Sequence, residues 1–245
     1  MSMLPPVTLI GASRGLGRHL AETFHHNGHK VLVVARGQAG LDALARDLPG
    51  LQTLAVDAAA PDAPAKVFAV QTPGILIVCG GDMPACLPFQ DMDWDTFSGS
   101  WNNELQSSFN FLKAAVTGAL PAGSTVLTIT SGAMLQGSPI SGGYAGAKKM
   151  QMFLSGYAQK EAGRAGLDLR FLTLAPARLM PATAVGAAGV KGYAAYNNTT
   201  EAGFLALMGP GQTVEQVADA VVQLIATGEK GGHYIVSPEG LAPLS

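Results

Sequence analysis

The chain is poor in charge. Of its 245 residues only 13% are Asp, Glu, Lys or Arg, against 48% hydrophobic, and the formal net charge is −2. That balance excludes a disordered polyelectrolyte. It also leaves no positive excess with which to grip nucleic acid or an anionic membrane. Cysteine is almost absent. Cys79 and Cys86 alone cannot build a disulfide framework, which points to free thiols, a reducing compartment and a cytoplasmic location. The opening stretch MSMLPPVTLIGASRG has no basic segment of the kind that starts a secretory signal. The longest uncharged run, residues 114–147, holds Pro121, Pro139 and seven glycines. Its middle alternates like a strand, so it does not read as a membrane span. His25, His26 and His29 lack metal-ligand spacing, and a cationic end opposite the helix dipole explains them.

What the chain does have is a rhythm of short apolar runs separated by helical patterns. Val7–Ile10, Lys30–Arg36, Gln52–Asp57, Ile75–Gly81, Ser124–Thr130, Leu167–Ala175 and His233–Ser237 read as strands. Leu16–Gly28, Leu41–Leu48, Ala63–Val70, part of Trp94–Ala119, Gly142–Ala165 and Thr213–Thr227 read as helices, the last opened by a Thr cap. Alternation of this kind predicts an α/β fold: a seven-stranded parallel sheet with helices on both faces. Residues 178–212, rich in Gly, Ala and Pro, break the rhythm and read as a long functional loop.

The first strand runs into GASRGLG, with Gly11, Gly15 and Gly17 at the junction to the first helix. The free N–H groups of a helix start favour an anion, and glycine lets a pyrophosphate approach the backbone. An acidic residue about 20 positions further on would bind an NAD ribose. Here the second strand ends on Arg36, and Arg14 lies inside the turn. Two guanidinium groups suit a 2′-phosphate, so NADP is expected ahead of NAD.

A second constellation lies in SGGYAGAKKM. Tyr144 and Lys148 are four residues apart, one above the other on a helix face. A cation beside a phenol favours the phenolate, which makes tyrosine a usable acid or base. Ser131 follows the STVLTIT strand, 13 residues before Tyr144, at the sheet end where ligands bind in such folds.

With these motifs in place, the chain resembles the short-chain dehydrogenase/reductase family over nearly its whole length. The resemblance is carried by GASRGLG at 11–17, Asp57 after the third strand, Ser131, YAGAK at 144–148, APA at 175–177 and GGHYIVSPEG at 231–240. It implies a Rossmann-like, doubly wound fold in one dinucleotide-binding catalytic domain, 1–245, with 178–212 as a substrate lid. It also implies hydride transfer between a nicotinamide and a carbonyl or alcohol. On that pattern Tyr144 is the general acid/base, Ser131 orients the substrate oxygen, and Lys148 binds the nicotinamide ribose. Gly11, Ser13, Arg14, Gly15, Leu16, Gly17, Arg36, Asp57, Gly80, Gly81, Tyr144, Lys148 and Pro176 form the cofactor set, with Asp57 at the adenine. A homodimer or homotetramer packed through residues 100–120 and 145–165 follows from the same likeness.

The chain departs from the family in three places. Val78-Cys79-Gly80-Gly81 replaces N-N-A-G, and Ala177 replaces a glycine. Aligning SWNNELQSSFNFLKAA on Phe109-Asn110 puts Glu104 where the family has an active-site asparagine. Asn103, about 100° away on a helix, points elsewhere unless a π-bulge shifts the register. Glu104 therefore joins Ser131, Tyr144 and Lys148 as a candidate catalytic residue, expected to pair with Lys148. The scarcity of charge in 178–212 suggests a small, neutral, fairly apolar carbonyl or alcohol. Leu179, Met180, Tyr193 and Tyr196, with Met83 and Leu135, are candidates to line its pocket, and Lys191 would instead serve a carboxylate. Trp94 and Trp101 read as core or subunit contacts. The altered asparagine positions leave a second reading open, a non-catalytic NADP(H)-binding sensor of the same fold.

Overall fold

The computed structural model describes residues 4–81 and 83–244. Its strands are β1 (Val7–Ile10), β2 (Val31–Ala35), β3 (Gln52–Ala55), β4 (Ile75–Val78), β5 (Ser124–Ile129), β6 (Leu169–Pro176), β7 (Gly232–Ser237) and β8 (Gly240–Pro243). They form one sheet in the order β3-β2-β1-β4-β5-β6-β7-β8. The first seven run parallel, in register Val7↔Val31, Val7↔Ile75 and Ile75↔Thr125 across the centre. Seven strands were expected and among the described residues the sheet has eight, because the chain reverses after Ser237 and pairs Ser237 with Gly240 antiparallel. Ser237 Oγ accepts from Glu239 N at 3.2 Å, and Gly240 takes φ +119°, so the turn is made by local hydrogen bonding and a glycine.

The helices are α1 (Gly15–His26), α2 (Gln38–Asp47), α3 (Ala63–Val70), α4 (Trp94–Ser100), α5 (Gln106–Ala114), α6 (Ala133–Gln136), α7 (Tyr144–Arg164), α8 (Ala184–Tyr196), α9 (Glu201–Met208) and α10 (Val214–Ala226). Successive strand residues face opposite layers, as the pleat requires. Val7, Leu9, Val31 and Val33 pack with Leu20, Phe24, Leu44 and Val221 of α1, α2 and α10. Ile10, Leu32, Val34 and Leu76 pack with Val67, Phe111 and Ala158 of α3, α5 and α7. A sheet buried on both sides explains the unbroken Val/Ile runs.

Two stretches differ from the sequence pattern. The helix expected within 94–119 contains two π-helical turns, Trp101–Leu105 between α4 and α5, and Ala115–Ala119 after α5. Residues 178–212, read as a loop, contain α8 and α9. Thr183 and Thr200 open these helices by accepting from Gly186 N and Gly203 N, each at 3.0 Å. Their alanines and glycines carry no amphipathic period, which is why the pattern missed them.

Candidate active site

The strand order reverses between β1 and β4, and there the carboxyl ends open into a crevice. Gly11 takes φ +79°, and a Cβ on it would overlap the Gly80 Cα. The two glycines thus let the β1 and β4 ends cross without side chains. Gly17 has a different duty: a Cβ there would meet Ala12 Cα at 2.7 Å and Gly11 O at 2.8 Å, so it lets α1 pack against its own turn. Helix α1 starts at Gly15 with no side-chain cap and no acidic residue in its first turn. Its leading N–H groups face the crevice, a ready site for an anion.

The crevice holds two cavities of about 300 and 250 Å³ that share Gly11, Arg14, Gly81 and Glu104. Ser13, Arg14, Arg36, Asp57, Gly80 and Gly81 line the first, with Asn103 and Ser107. Gly15, Leu16, Gly17, Ser131, Tyr144, Lys148 and Pro176 line the second. Every residue of the expected catalytic and cofactor sets therefore lies on one of these walls. A dinucleotide fits this donor set: guanidinium groups and an uncapped helix start for phosphates, and a glycine crossing that no side chain fills.

Neighbouring elements hold the Tyr144 end of α7. Trp101 Nε1 donates to Gly143 O at 3.0 Å, and Gly143 N donates to Phe97 O at 2.9 Å. A Cβ on Gly143 would come within 2.7 Å of Trp101 Nε1. The second glycine of SGGY thus seats the helix start against the π-turn, and Trp101 anchors it. On α7, Tyr144, Lys148, Gln151 and Ser155 fall on one stripe, and the last three are buried. Lys148 Nζ sits 5.5 Å from the Tyr144 ring centroid and donates to Ile129 O at 3.3 Å. Ser131 Oγ accepts from Ala133 N at 3.2 Å, which leaves its proton to donate.

Glu104 turns inward and Asn103 does not take its place. Glu104 Oε2 lies 2.7 Å from Lys148 Nζ, with side chains 0% and 5% exposed. Asn103 Nδ2 donates to Gly99 O at 3.1 Å. Burial disfavours the Lys148 charge, yet Glu104 and then Tyr144 outweigh it and hold the ammonium well above its ordinary range. Burial also pushes the Tyr144 phenol up, against the pull of Lys148; Glu104 adds to the rise and Ser131 opposes it.

Several site residues escaped the sequence reading. Cys79, standing in the N-N-A-G position, lines the second cavity, and burial pushes its thiol up to about 11. Asn110 Nδ2 reaches the carbonyls of Ala58, Ala59 and Ala60 at 3.3, 3.0 and 3.1 Å, fixing the loop that carries Asp57. Asp57 Oδ1 itself accepts from Ala59 N at 3.1 Å. Thr183 faces Gly15: a Cβ on that glycine would lie 3.8 Å from the Thr183 side chain. Of the proposed substrate lining, Leu179 and Met180 are on the cavity wall, joined by Ala182 and Val185. Met83, Leu135 and Tyr196 are exposed instead, and Tyr193 donates to Ser138 Oγ at 2.6 Å. Lys191 lies outside both cavities. Among the described residues no cluster of metal ligands occurs, and no helix is long and apolar enough to cross a membrane.

Comparison with known proteins places this geometry. A family profile described as enoyl-(acyl carrier protein) reductase matches residues 11–231. The chain belongs to the short-chain dehydrogenase/reductase family. L-xylulose reductase of Bos taurus is 27% identical over 131 residues, 53% of this chain and 54% of that protein. The chain thus spans about half the length of the relatives it matches in sequence. L-sorbose reductase from Gluconobacter frateurii, solved with NADPH and L-sorbose, superposes with a TM-score of 0.78 at 19% identity, over 96% of this chain and 95% of that one. The 3-ketoacyl-(acyl-carrier-protein) reductase from Brucella melitensis, solved with NADH, gives 0.74 at 19% identity, over 93% and 94%. At such identities the two structures establish the Rossmann-like fold.

Proposed function

We propose that this chain is an NADP(H)-dependent oxidoreductase acting on a small neutral carbonyl or alcohol, with Tyr144 as general acid and base. The observation that carries the reading is the meeting of Tyr144, Lys148 and Ser131 in the wall of the cavity that also receives the glycine turn. A bound dihydronicotinamide supplies the hydride. Ser131 donates to the substrate's carbonyl oxygen and, with the phenol, fixes its position. Tyr144 gives its proton to that oxygen as negative charge builds there. Lys148 stabilises the phenolate left behind and holds the ribose of the cofactor. Residues 178–212 close over the second cavity as a lid that keeps water from the reacting atoms.

Arg14 and Arg36 on the first cavity support NADP over NAD, because paired guanidinium groups match a 2′-phosphate. Arg36→Glu is expected to raise KM for NADPH about tenfold or more relative to NADH, the worth of one charge-assisted hydrogen bond. Steady-state kinetics with both cofactors checks this. The apolar wall of Ile129, Leu179, Met180 and Val185 favours small neutral ketones, and the xylulose and sorbose reductases point to ketoses within that class. Two free thiols, Cys79 and Cys86, suit a reducing compartment, and the cytoplasm is the location we assign.

Phe109, Phe153 and Tyr157 stand 48%, 43% and 53% exposed on α5 and α7, with Phe153 and Tyr157 stacked. That face supports self-association through these helices. Light scattering is expected to give a dimer or tetramer, and Tyr157→Glu a smaller species. For the activity itself, fluorescence titration with NADPH and NADH is followed by a panel of ketoses and apolar ketones, read by NADPH oxidation. Tight NADPH binding with no turnover across the panel would favour the non-catalytic sensor instead.

A further inference from the structure

Nothing in the reaction above calls for an anion beside Lys148, and enclosing a carboxylate is costly unless it is paired. The fold nonetheless builds a place for one. The π-turn Trp101–Leu105 carries Glu104, and Gln151 Nε2 donates to Glu104 O at 3.2 Å and to Ser108 Oγ at 2.7 Å. Opposite, a Cβ on Gly81 would stand 3.0 Å from the Glu104 carboxyl carbon. The carboxylate is therefore held at one spot, 2.7 Å from Lys148 Nζ, while Lys148 Nζ lies 5.5 Å from the Tyr144 ring centroid.

We propose that Glu104 cancels the charge of Lys148 at the Tyr144 phenol, keeps Tyr144 protonated through neutral and mildly alkaline pH, and so makes this site a carbonyl reductase across that range. Glu104 acts through Lys148 as a positioning residue. The inference rests on the reading of Tyr144 as the proton-transferring group.

A lone ammonium beside a phenol favours the phenolate. Burial already favours the neutral phenol, and with a carboxylate in contact the ammonium's pull on it is offset by the opposed field of Glu104. The other groups facing Tyr144 do not restore the lost positive charge. Cys79, at the end of β4, is neutral at pH 7, its thiol held at about 11. Ser131, after β5, contributes a hydroxyl that favours the phenolate only through hydrogen bonding. Arg14 and Arg178 line the same cavity; Arg178 Nη1 is engaged with Met208 O and Pro210 O at 3.2 and 3.4 Å, and Arg14 lies at the phosphate-binding turn.

Protonation decides the working direction at a given pH. In reduction the carbonyl carbon gains a hydride, with its two electrons, from the dihydronicotinamide, which becomes oxidised. The carbonyl oxygen gains the proton of the Tyr144 O–H, and Tyr144 is reprotonated from water. Oxidation of an alcohol runs these transfers backwards and needs the phenolate at the start. A phenol that ionises late serves the first reaction at neutral pH and the second only at strongly alkaline pH.

The test is an ultraviolet titration of tyrosinate in the protein, for wild type and Glu104→Gln, each with and without Tyr144→Phe, so that the difference isolates Tyr144. Removing the carboxylate is expected to lower the Tyr144 midpoint by about one to two pH units. The alkaline limb of kcat/KM for reduction moves down with it, and alcohol oxidation at neutral pH rises about tenfold or more. Glu104→Asp, which keeps the charge, stays close to wild type. An unmoved midpoint in a folded Glu104→Gln, or in Glu104→Asn if the first variant does not fold, overturns the inference. So does a wild-type midpoint below that of free tyrosine, about 10, which needs no variant. If Tyr144→Phe keeps its turnover, the reading of the site fails; if it loses turnover while the midpoint stays, only this inference fails.

Discussion

Tyr144→Phe is expected to lower kcat for carbonyl reduction by about 10²–10⁴-fold, the range a positioned general acid supplies, with little change in NADPH affinity. The substitution deletes one oxygen and leaves the ring in place. Its support from Trp101 and Gly143 runs through the backbone carbonyl of Gly143, and the Phe97 O bond through the Gly143 N–H, so neither depends on the phenol. A fall in kcat at constant dissociation constant separates a lost proton donor from a distorted site. Single-turnover kinetics beside a fluorescence titration measures both. Ser131→Ala, by the same reasoning, removes a donor and not the acid, and its loss should be smaller and should appear partly in KM.

The second large effect falls on stability. Lys148→Met is expected to cost about 3–5 kcal/mol, because it leaves the Glu104 carboxylate enclosed without its cation. In a protein of this size that is a drop of roughly 6–20 °C in Tm. The double variant Lys148→Met with Glu104→Gln should recover most of the loss, since removing both charges also removes their desolvation. The sign with pH is fixed. With Lys148 gone, the folded state raises the carboxyl pKa above its unfolded value of about 4.3. The single variant is then relatively better off below that value and loses stability as pH rises through the raised one. Thermal denaturation of the two variants across pH reads the whole effect, and a single variant as stable as wild type would mean that the enclosed carboxylate does not need its cation.

The parts of the fold legible in the sequence are those set by local pattern. β2 and β4 are unbroken apolar runs and β1 is broken only by Thr8, all buried on both faces, and such runs have few other uses. The glycine turn showed itself because Gly11 and Gly17 stand where a Cβ collides with backbone. Tyr144 and Lys148 were readable from helix geometry alone. What escaped depends on contacts between distant segments. The sequence offered a π-bulge at WNNEL only as an alternative to a regular helix; the π-turn lies where Trp101 donates to Gly143, 42 residues away. The pairing of Glu104 with Lys148 was foreseen by aligning the central helix with its family, but the brace from Gln151 was not. Asn110 reads as an ordinary helix residue until it is found holding three carbonyls of the β3–α3 loop. Strand β8 is four residues with Pro243 at its end, too short and too interrupted to register as a strand.

In the reaction we propose, the crevice at the β1–β4 switch brings a nicotinamide against Tyr144, Lys148 and Ser131 for hydride transfer to a carbonyl. The most direct measurement supplies the protein with NADPH deuterated at the transferring position and a panel of small ketones, and weighs the alcohols formed. At least one alcohol is expected to carry the deuterium on its carbinol carbon, in one stereochemical sense, with Tyr144→Phe forming it far more slowly. Bound NADPH that yields no labelled alcohol from any ketone, or an equal yield from the Phe variant, would contradict it.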